Sequence, residues 1–426
     1  MPHFPKPAEG SWTEHYGIDT TPVSYQDSIS PEHYEQERDA IFRRTWLNLG
    51  RVEQLKRVGS YFTKEIAAAG ASVVIVRSGP DEYRAFYNMC RHRGNKLVWQ
   101  DYPGEEVSGV CRAFTCKYHG WQFGLEGDLQ FVQQEEEFFD FDKADWPLRS
   151  VRLEVWEGWI FVNFDDDAAP LTDYLGTMLR KLEGYPFHEF SQVYKYRAEV
   201  GSNWKLFIDA FTEFYHAPIL HGRQAVEEES RKLAGYGYEA LWYEVDGPHN
   251  VVSSWGGMSP PKDESMVKPI ERKLRAGLFG PWDSPDVVPE LPSGLNPANH
   301  RAWGEDSFLF FPNFMILIWE RQWILTYHYW PTSHNTHIFE GTAYFVPPKN
   351  GRERLTQELS MVTFVEYALQ DANTLEATQT MLETQAITEF PLCDQEILLR
   401  HLHTTARQYV ADWQAEAGDT TKAGAK

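Results

Sequence analysis

Hydrophobic and polar positions are patterned differently in two stretches of this chain, and the difference predicts its architecture. From Trp46 to about Phe164 the apolar residues come in short β-branched and aromatic runs, such as Val73–Arg77 and Gly158–Asn163, punctuated by Gly and Pro. Runs of this kind read as strands of an all-β domain. Ahead of them, Ser30-Pro31-Glu32 sets a cap residue before a Pro at the first helical position, which predicts a helix running toward Phe42–Trp46. Beyond the acidic stretch Asp165–Pro170, a candidate domain boundary, helices are expected over Leu171–Leu182, Trp204–His216, Leu355–Thr384 and Asp394–Gln414. Between them lie strand-like runs at Phe308–Phe311, Met315–Trp319 and Trp323–Trp330. The expected organisation is α+β: an N-terminal segment 1–45 packed on the second domain, an all-β domain 46–164, an antiparallel-sheet domain 165–414, and a disordered tail 415–426. Residues 249–305, rich in Pro and Gly, read as a long loop region.

Composition narrows the class. The 426 residues suffice for two domains with substantial cores. Met1–Ser30 is polar and dotted with Pro, and no apolar run approaches membrane-spanning length, so a soluble, cytoplasmic protein is expected. The formal net charge of −22 argues against nucleic acid or anionic lipid as a partner. Four cysteines suit a reducing compartment, and two of them sit in a motif.

That motif is Cys90-Arg-His92 together with Cys116-Lys-Tyr-His119-Gly-Trp121. Two thiolates and two imidazoles are the donor set of a Rieske [2Fe–2S] centre, and also of a tetrahedral Cys2His2 zinc site. Zinc fingers usually place two Cys in one half and two His in the other. A Cys-then-His order in both halves suits a diiron cluster, because each loop must reach both metals.

The two halves resemble the CxHRG and CxYHGW boxes of Rieske proteins, and in particular those of ring-hydroxylating oxygenases. Trp46–Gly50, Ala85–Asn88 and Gly158–Asn163 are similar to the same domain. The resemblance implies that Cys90 and Cys116 bind the inner iron and His92 and His119 the outer one. Between the boxes runs an insertion, Val98–Thr115; its Cys111 has no His at matching spacing and is read as packing.

A second candidate centre begins at His216 and His221. Five helical steps separate side chains by about 140° around the axis, so a regular helix cannot aim both at one metal. Pro218, between them, is expected to break the helix and let His221 swing back. Two His with one distant carboxylate make the facial triad of non-haem Fe(II) oxygenases. Asn203–His221 resembles the NWK…YHxxxxH box of the Rieske oxygenase catalytic domain, and Gln370–Gln379 resembles its EDxxxxExxQ helix. The resemblance makes Asp371 the third ligand, with Gln370 in place of the family's Glu.

Glu213 falls where the family carries an acid linking the iron's His to the outer-iron His of a neighbouring Rieske centre, a role that orients the ligand and carries the electron path. Asp209 stands where many relatives have Asn. Glu at the bridging position is the choice of relatives acting on quaternary ammonium compounds. His328 is read as a core residue, and His334 and His337 as lying in a polar turn.

Taken together, residues 30–412 resemble the alpha, or terminal oxygenase, subunit of Rieske non-haem iron oxygenases, which implies a Rieske domain followed by a helix-grip-like catalytic domain. It also implies a [2Fe–2S] cluster, a mononuclear Fe(II), and a homotrimer with or without a small β subunit. No nucleotide-binding motif is present, so electrons are expected ultimately from NAD(P)H through a separate reductase or ferredoxin. The function implied is hydroxylation of an apolar aromatic or alicyclic substrate with O2, as dihydroxylation or monooxygenation. The alternatives are a monooxygenase hydroxylating or demethylating a quaternary amine, for which Trp255, Trp319, Trp323 and Tyr327 would line a pocket, and a pure electron-transfer protein.

Overall fold

The computed structural model describes residues 6–221, 240–255, 267–300, 303–320 and 322–423. The chain divides into two compact units, Arg38–Tyr174 and Met1–Glu37 with Leu175–Lys426.

The first unit is all-β. Strands β1 (Leu47–Arg51), β2 (Ser60–Ile66), β3 (Ala71–Gly79), β4 (Glu82–Tyr87), β5 (Ser108–Val110), β9 (Ser150–Trp156) and β10 (Trp159–Asn163) form an antiparallel sheet in the order β1-β10-β9-β4-β3-β2-β5. The continuously apolar Val73–Val76 run is wholly buried, as expected of a strand covered on both faces. A three-stranded sheet, β6 (Phe114–Thr115), β7 (Gln122–Phe123) and β8 (Leu129–Phe131), carries the second Cys/His box. The insertion between the boxes supplies β5, which pairs with β2, and Cys111 packs half-buried against the core around Cys90 and Cys116.

The second unit is α+β. Its antiparallel sheet takes β11 (Gln192–Val200), β12 (Ala240–Asp246), β13 (His249–Trp255), β14 (Trp303–Phe310), β15 (Phe314–Trp319), β16 (Ile324–Ser333) and β17 (Thr336–Phe345) in the order β11-β17-β16-β15-β14-β13-β12. Paired residues of an antiparallel sheet point to one side. That rule puts Tyr196, Tyr327, Phe339 and Trp319 on the face that meets Phe207 and Phe211 of helix α2 (Trp204–Phe211) and Phe364 of helix α4 (Gly351–Leu382).

Of the N-terminal segment expected over 1–45, the residues up to Glu37 belong to this unit, whereas 38–45 fall in the first. Helix α1 (Pro31–Glu37) is capped by Ser30, whose hydroxyl accepts from the His33 amide at 3.1 Å. Its last residue, Glu37, is fully buried and pairs with Lys205, while the Trp204 indole donates to its other oxygen at 3.1 Å. The Asn-Trp-Lys run is therefore a structural clamp: Asn203 caps α2, and the next two residues tie it to α1.

Several expectations are corrected. Residues 249–305 are not one loop: they contain β13, a short helix at Pro269–Leu274 and the start of β14, with 256–266 and 301–302 outside the described residues. Helix α5 (Ile397–Ala423) continues past Ala415, where a disordered tail was expected; Ala415-Glu416-Ala417 are strong helix formers and extend it. The segment Leu171–Leu182 is broken at Gly176, whose φ of +57° no helix accommodates. His337 lies in β17, buried, with Nδ1 2.8 Å from the Ser202 carbonyl, rather than in a polar turn.

Candidate metal centres

The two Cys/His boxes fold into the same loop twice. Gly94 donates its amide to the Cys90 carbonyl at 3.1 Å, and Gly120 donates to that of Cys116 at 3.0 Å. The amides of Cys90 and Cys116 donate in turn to the carbonyls of Asn95 and Trp121, at 2.8 and 2.9 Å. Both glycines sit in the left-handed region, at φ of +70° and +73°, which such a tight return needs and side chains resist. The loops bring the Nδ1 atoms of His92 and His119 to 3.1 Å from each other. The His92 ring stacks on Trp121 at 4.8 Å, and the His119 ring lies against Tyr118 at 3.8 Å.

Cys90 and Cys116 are both buried, and burial pushes the Cys90 thiol up to about 11. A thiolate there requires a neighbouring cation, which a bound metal supplies. The four donors are not gathered around one point. Among the described residues, only His216, His221 and Asp371 form a set of three or more ligand atoms all within 4.8 Å of one another. Donors in two pairs, sulfur with sulfur and nitrogen with nitrogen, fit a two-metal cluster better than a tetrahedral zinc.

The second centre is that triad. Helix α2 stops at Phe211, well short of His216, and a single helical turn α3 (Ala217–Leu220) follows, with His216 and His221 as its flanking residues. Pro218 does not interrupt a helix, contrary to the expectation from sequence. It lies in the first turn of α3, where a missing amide costs nothing, and the break comes earlier, at Thr212–Tyr215. The rings of the two flanking residues nevertheless converge, with centroids 5.2 Å apart, and Asp371 meets them from α4.

The His216 and His221 Nε2 atoms are 3.3 Å apart, and each lies 3.5 or 3.4 Å from Asp371 Oδ1. The corners of such a triangle are about 2 Å from its centre, the length of metal–imidazole and metal–carboxylate bonds. Asp371 is buried, and among the described residues its Oδ1 accepts no hydrogen bond. His216 Nδ1 donates to Glu213, and His221 Nδ1 donates to the Gln370 side-chain oxygen at 2.8 Å, so both Nε2 atoms present lone pairs. With both rings neutral, three lone pairs face one point, an arrangement that calls for a cation. Burial alone would lower the His216 pKa; the hydrogen bond and charge of Glu213, with Asp371, outweigh it and raise it.

Glu213 is buried and also accepts from the backbone amides of Tyr215 and His216. Asp209 lies on α2 beside Glu213, His216 and Asp371 in the wall of a cavity of about 280 Å³, but turns its Oδ2 to His403 Nε2 at 3.2 Å. It belongs to a buried chain, Asp209–His403–Asp27, that reaches the half-exposed Arg407, rather than to the triad. Burial alone would lower the His403 pKa, yet Asp209 and Asp27 raise it to about 9.

Sequence reasoning left three residues without a role. Gln370 holds His221, while Glu376 and Gln379 accept from the backbone amides of Gly201 and Asn203, at 2.8 and 2.9 Å, and so fasten α4 to the start of α2. Their spacing along one helix was a signal; their targets, some 170 positions away, were not.

Comparison with known proteins follows this division. Residues 45–150 match the Rieske [2Fe–2S] domain, and residues 187–412, more than half of the chain, match the ring hydroxylating alpha subunit (catalytic domain). The oxygenase subunit of carnitine monooxygenase from Escherichia coli K12 is 33% identical over 190 residues, 44% of this chain and 49% of that protein. The benzene 1,2-dioxygenase alpha subunit of Pseudomonas putida is 33% identical over 234 residues, 49% of this chain and 48% of its own length. The chain thus spans about half the length of these relatives. A solved quaternary ammonium Rieske monooxygenase superposes over 96% of this chain and 100% of its own, with a TM-score of 0.70 and 19% identity, which shows a shared fold. The two matched domains are those of a Rieske [2Fe–2S] cluster and a mononuclear iron, and the chain belongs to the ring-hydroxylating alpha subunit family of Rieske oxygenases.

Proposed function

We propose that the chain is the terminal component of a multi-protein oxygenase, which receives electrons from a separate reductase or ferredoxin and uses O2 to hydroxylate an organic substrate. One observation carries the reading: His216, His221 and Asp371 bring two imidazoles and one carboxylate together, the ligand set that in non-haem Fe(II) oxygenases leaves positions for O2 and substrate. A bound iron there would supply the redox chemistry. Cys90, Cys116, His92 and His119 would hold the cluster that feeds it.

The chain's own groups have definite tasks. Glu213 fixes the proton of His216 on Nδ1 and would offset part of the charge of an iron held at the triad. We also propose that in a ring of three copies it reaches His119 of the partner subunit, which would make it the electron bridge. The aromatic packing of Tyr327 and Phe339 on the sheet against Phe364 of α4 would suit an apolar, aromatic or alicyclic substrate.

A second reading, a quaternary ammonium substrate, is favoured by Glu305. This acid is buried and directly paired with Trp319; burial chiefly raises its pKa to about 8, and a cationic substrate beside it would hold it ionised. The Trp255 side chain lies outside what the structure describes.

The test is iron analysis followed by O2 uptake. The purified protein should be red-brown, carry about three irons per chain, and, with donor proteins, consume O2 in response to a member of a panel of aromatic, alicyclic and quaternary-amine compounds. Zinc in place of iron, without visible absorption, would end this reading.

A further inference from the structure

The two histidines of the triad are held differently. His216 leans on a carboxylate, Glu213, whereas His221 leans on the neutral side-chain amide of Gln370 at 2.8 Å. One stretch of α4 surrounds His221. Tyr367 packs against its ring at 4.8 Å, Gln370 accepts from its Nδ1 one helical turn later, and Asp371 faces its Nε2. The i, i+3, i+4 spacing puts these three side chains on one face of the helix.

We infer that Gln370 is a positioning residue for the mononuclear iron: it fixes the tautomer and ring plane of His221 while keeping this ligand's outer partner uncharged. The inference rests on His216, His221 and Asp371 being the iron ligands. Its physical basis is that an acceptor at the far nitrogen sets which nitrogen carries the lone pair and how strongly that lone pair is donated. A carboxylate partner pulls the Nδ1 proton harder than an amide does and makes the imidazole a stronger donor. The charge tally points the same way. Asp371 and Glu213 already bring two carboxylates to the site, matching the two charges of Fe(II), and a Glu at position 370 would add a third beside a buried one. A neutral Gln370 therefore favours the ferrous state, whereas an added anion would favour the ferric.

The experiment uses the full-length protein with its cluster intact, stripped of mononuclear iron by a mild chelator and titrated with ⁵⁷Fe(II) alone. Mössbauer spectra then report only the added iron, independently of turnover. Gln370→Leu should weaken ⁵⁷Fe(II) binding about 10–100-fold and change the quadrupole splitting. Gln370→Glu should retain tight binding but shift the Fe(III)/Fe(II) potential downward. Gln370→Met, which preserves length and helix propensity, serves where the Leu variant fails to fold, and should behave as Leu does. Wild-type affinity and spectrum in the Leu or Met variant would overturn the inference, and so would a Glu variant that loses iron as they do or keeps the wild-type potential. Asp371→Ala separates this from the ligand reading. If that variant binds ⁵⁷Fe(II) as the wild type does, the triad assignment itself has failed.

Discussion

The two candidate metal centres are built on opposite plans. The Cys/His centre is local: two six-residue loops, each closed by its own backbone hydrogen bonds and its own glycine, present donors from positions 90 to 119. The triad is assembled from afar, with His216 and His221 flanking a lone helical turn and Asp371 arriving some 150 positions later on a long helix. A local site depends on turn chemistry. An assembled site depends on everything that seats the helices, so the residues supporting it are many and scattered.

The comparison is most sharply broken by removing one donor from each site. Cys116→Ser should abolish the visible colour and leave about one iron per chain, while His216→Ala should keep the colour and lose only the mononuclear iron. Metal analysis with absorption spectroscopy reads both. Loss of both sites in either variant would show that the two centres do not fill independently.

Next in size is the supporting carboxylate. Glu213→Gln preserves the shape but removes the charge beside His216. Both metals should remain and the cluster should still be reduced at the normal rate, yet turnover should fall about 10–100-fold. Stopped-flow reduction measured alongside steady-state O2 uptake separates the two steps; a slowed reduction would place the role of Glu213 elsewhere.

The smallest effect tests how the triad's helices are seated. His403, fully buried between Asp27 and Asp209, has its pKa raised to about 9, with burial opposing and the two carboxylates prevailing. A folded-state pKa above the ordinary 6.5 or so means that this contribution is fully present below about pH 6.5 and is lost as pH rises through 9. Its upper size is about 3 kcal/mol. The stability gap between the wild type and His403→Gln should therefore narrow from pH 7 to pH 10 in chemical denaturation. A gap that stays constant would mean that His403 is uncharged in the folded protein.

Legibility follows the same division. The Cys90 and Cys116 boxes could be read directly, because the spacing of Cys, His and Gly within a short loop is itself the geometry. The α+β class was readable from the change of hydrophobic period near Asp165. The mechanism that aligns His216 with His221 was not: Pro218 looked like a helix breaker, but the helix had already ended, and Pro merely starts the next turn. Gln370 looked like a neutral departure from a family pattern until its amide oxygen was found on His221. His337, polar by its neighbours in sequence, is buried because its strand lies inside the sheet between β11 and β16.

By itself, then, the sequence determined which residue types stand at chemically meaningful intervals and which segments can hide an apolar face, since both are properties of short stretches. Only the tertiary structure decided which acceptor each histidine leans on, that Glu376 and Gln379 clamp the backbone at Gly201 and Asn203, and that Asp209 faces His403 instead of the triad. Those pairings join positions well over a hundred residues apart. No local rule of propensity or spacing encodes a hydrogen bond of that range; it is fixed when helices pack on a sheet and every buried donor has to find an acceptor.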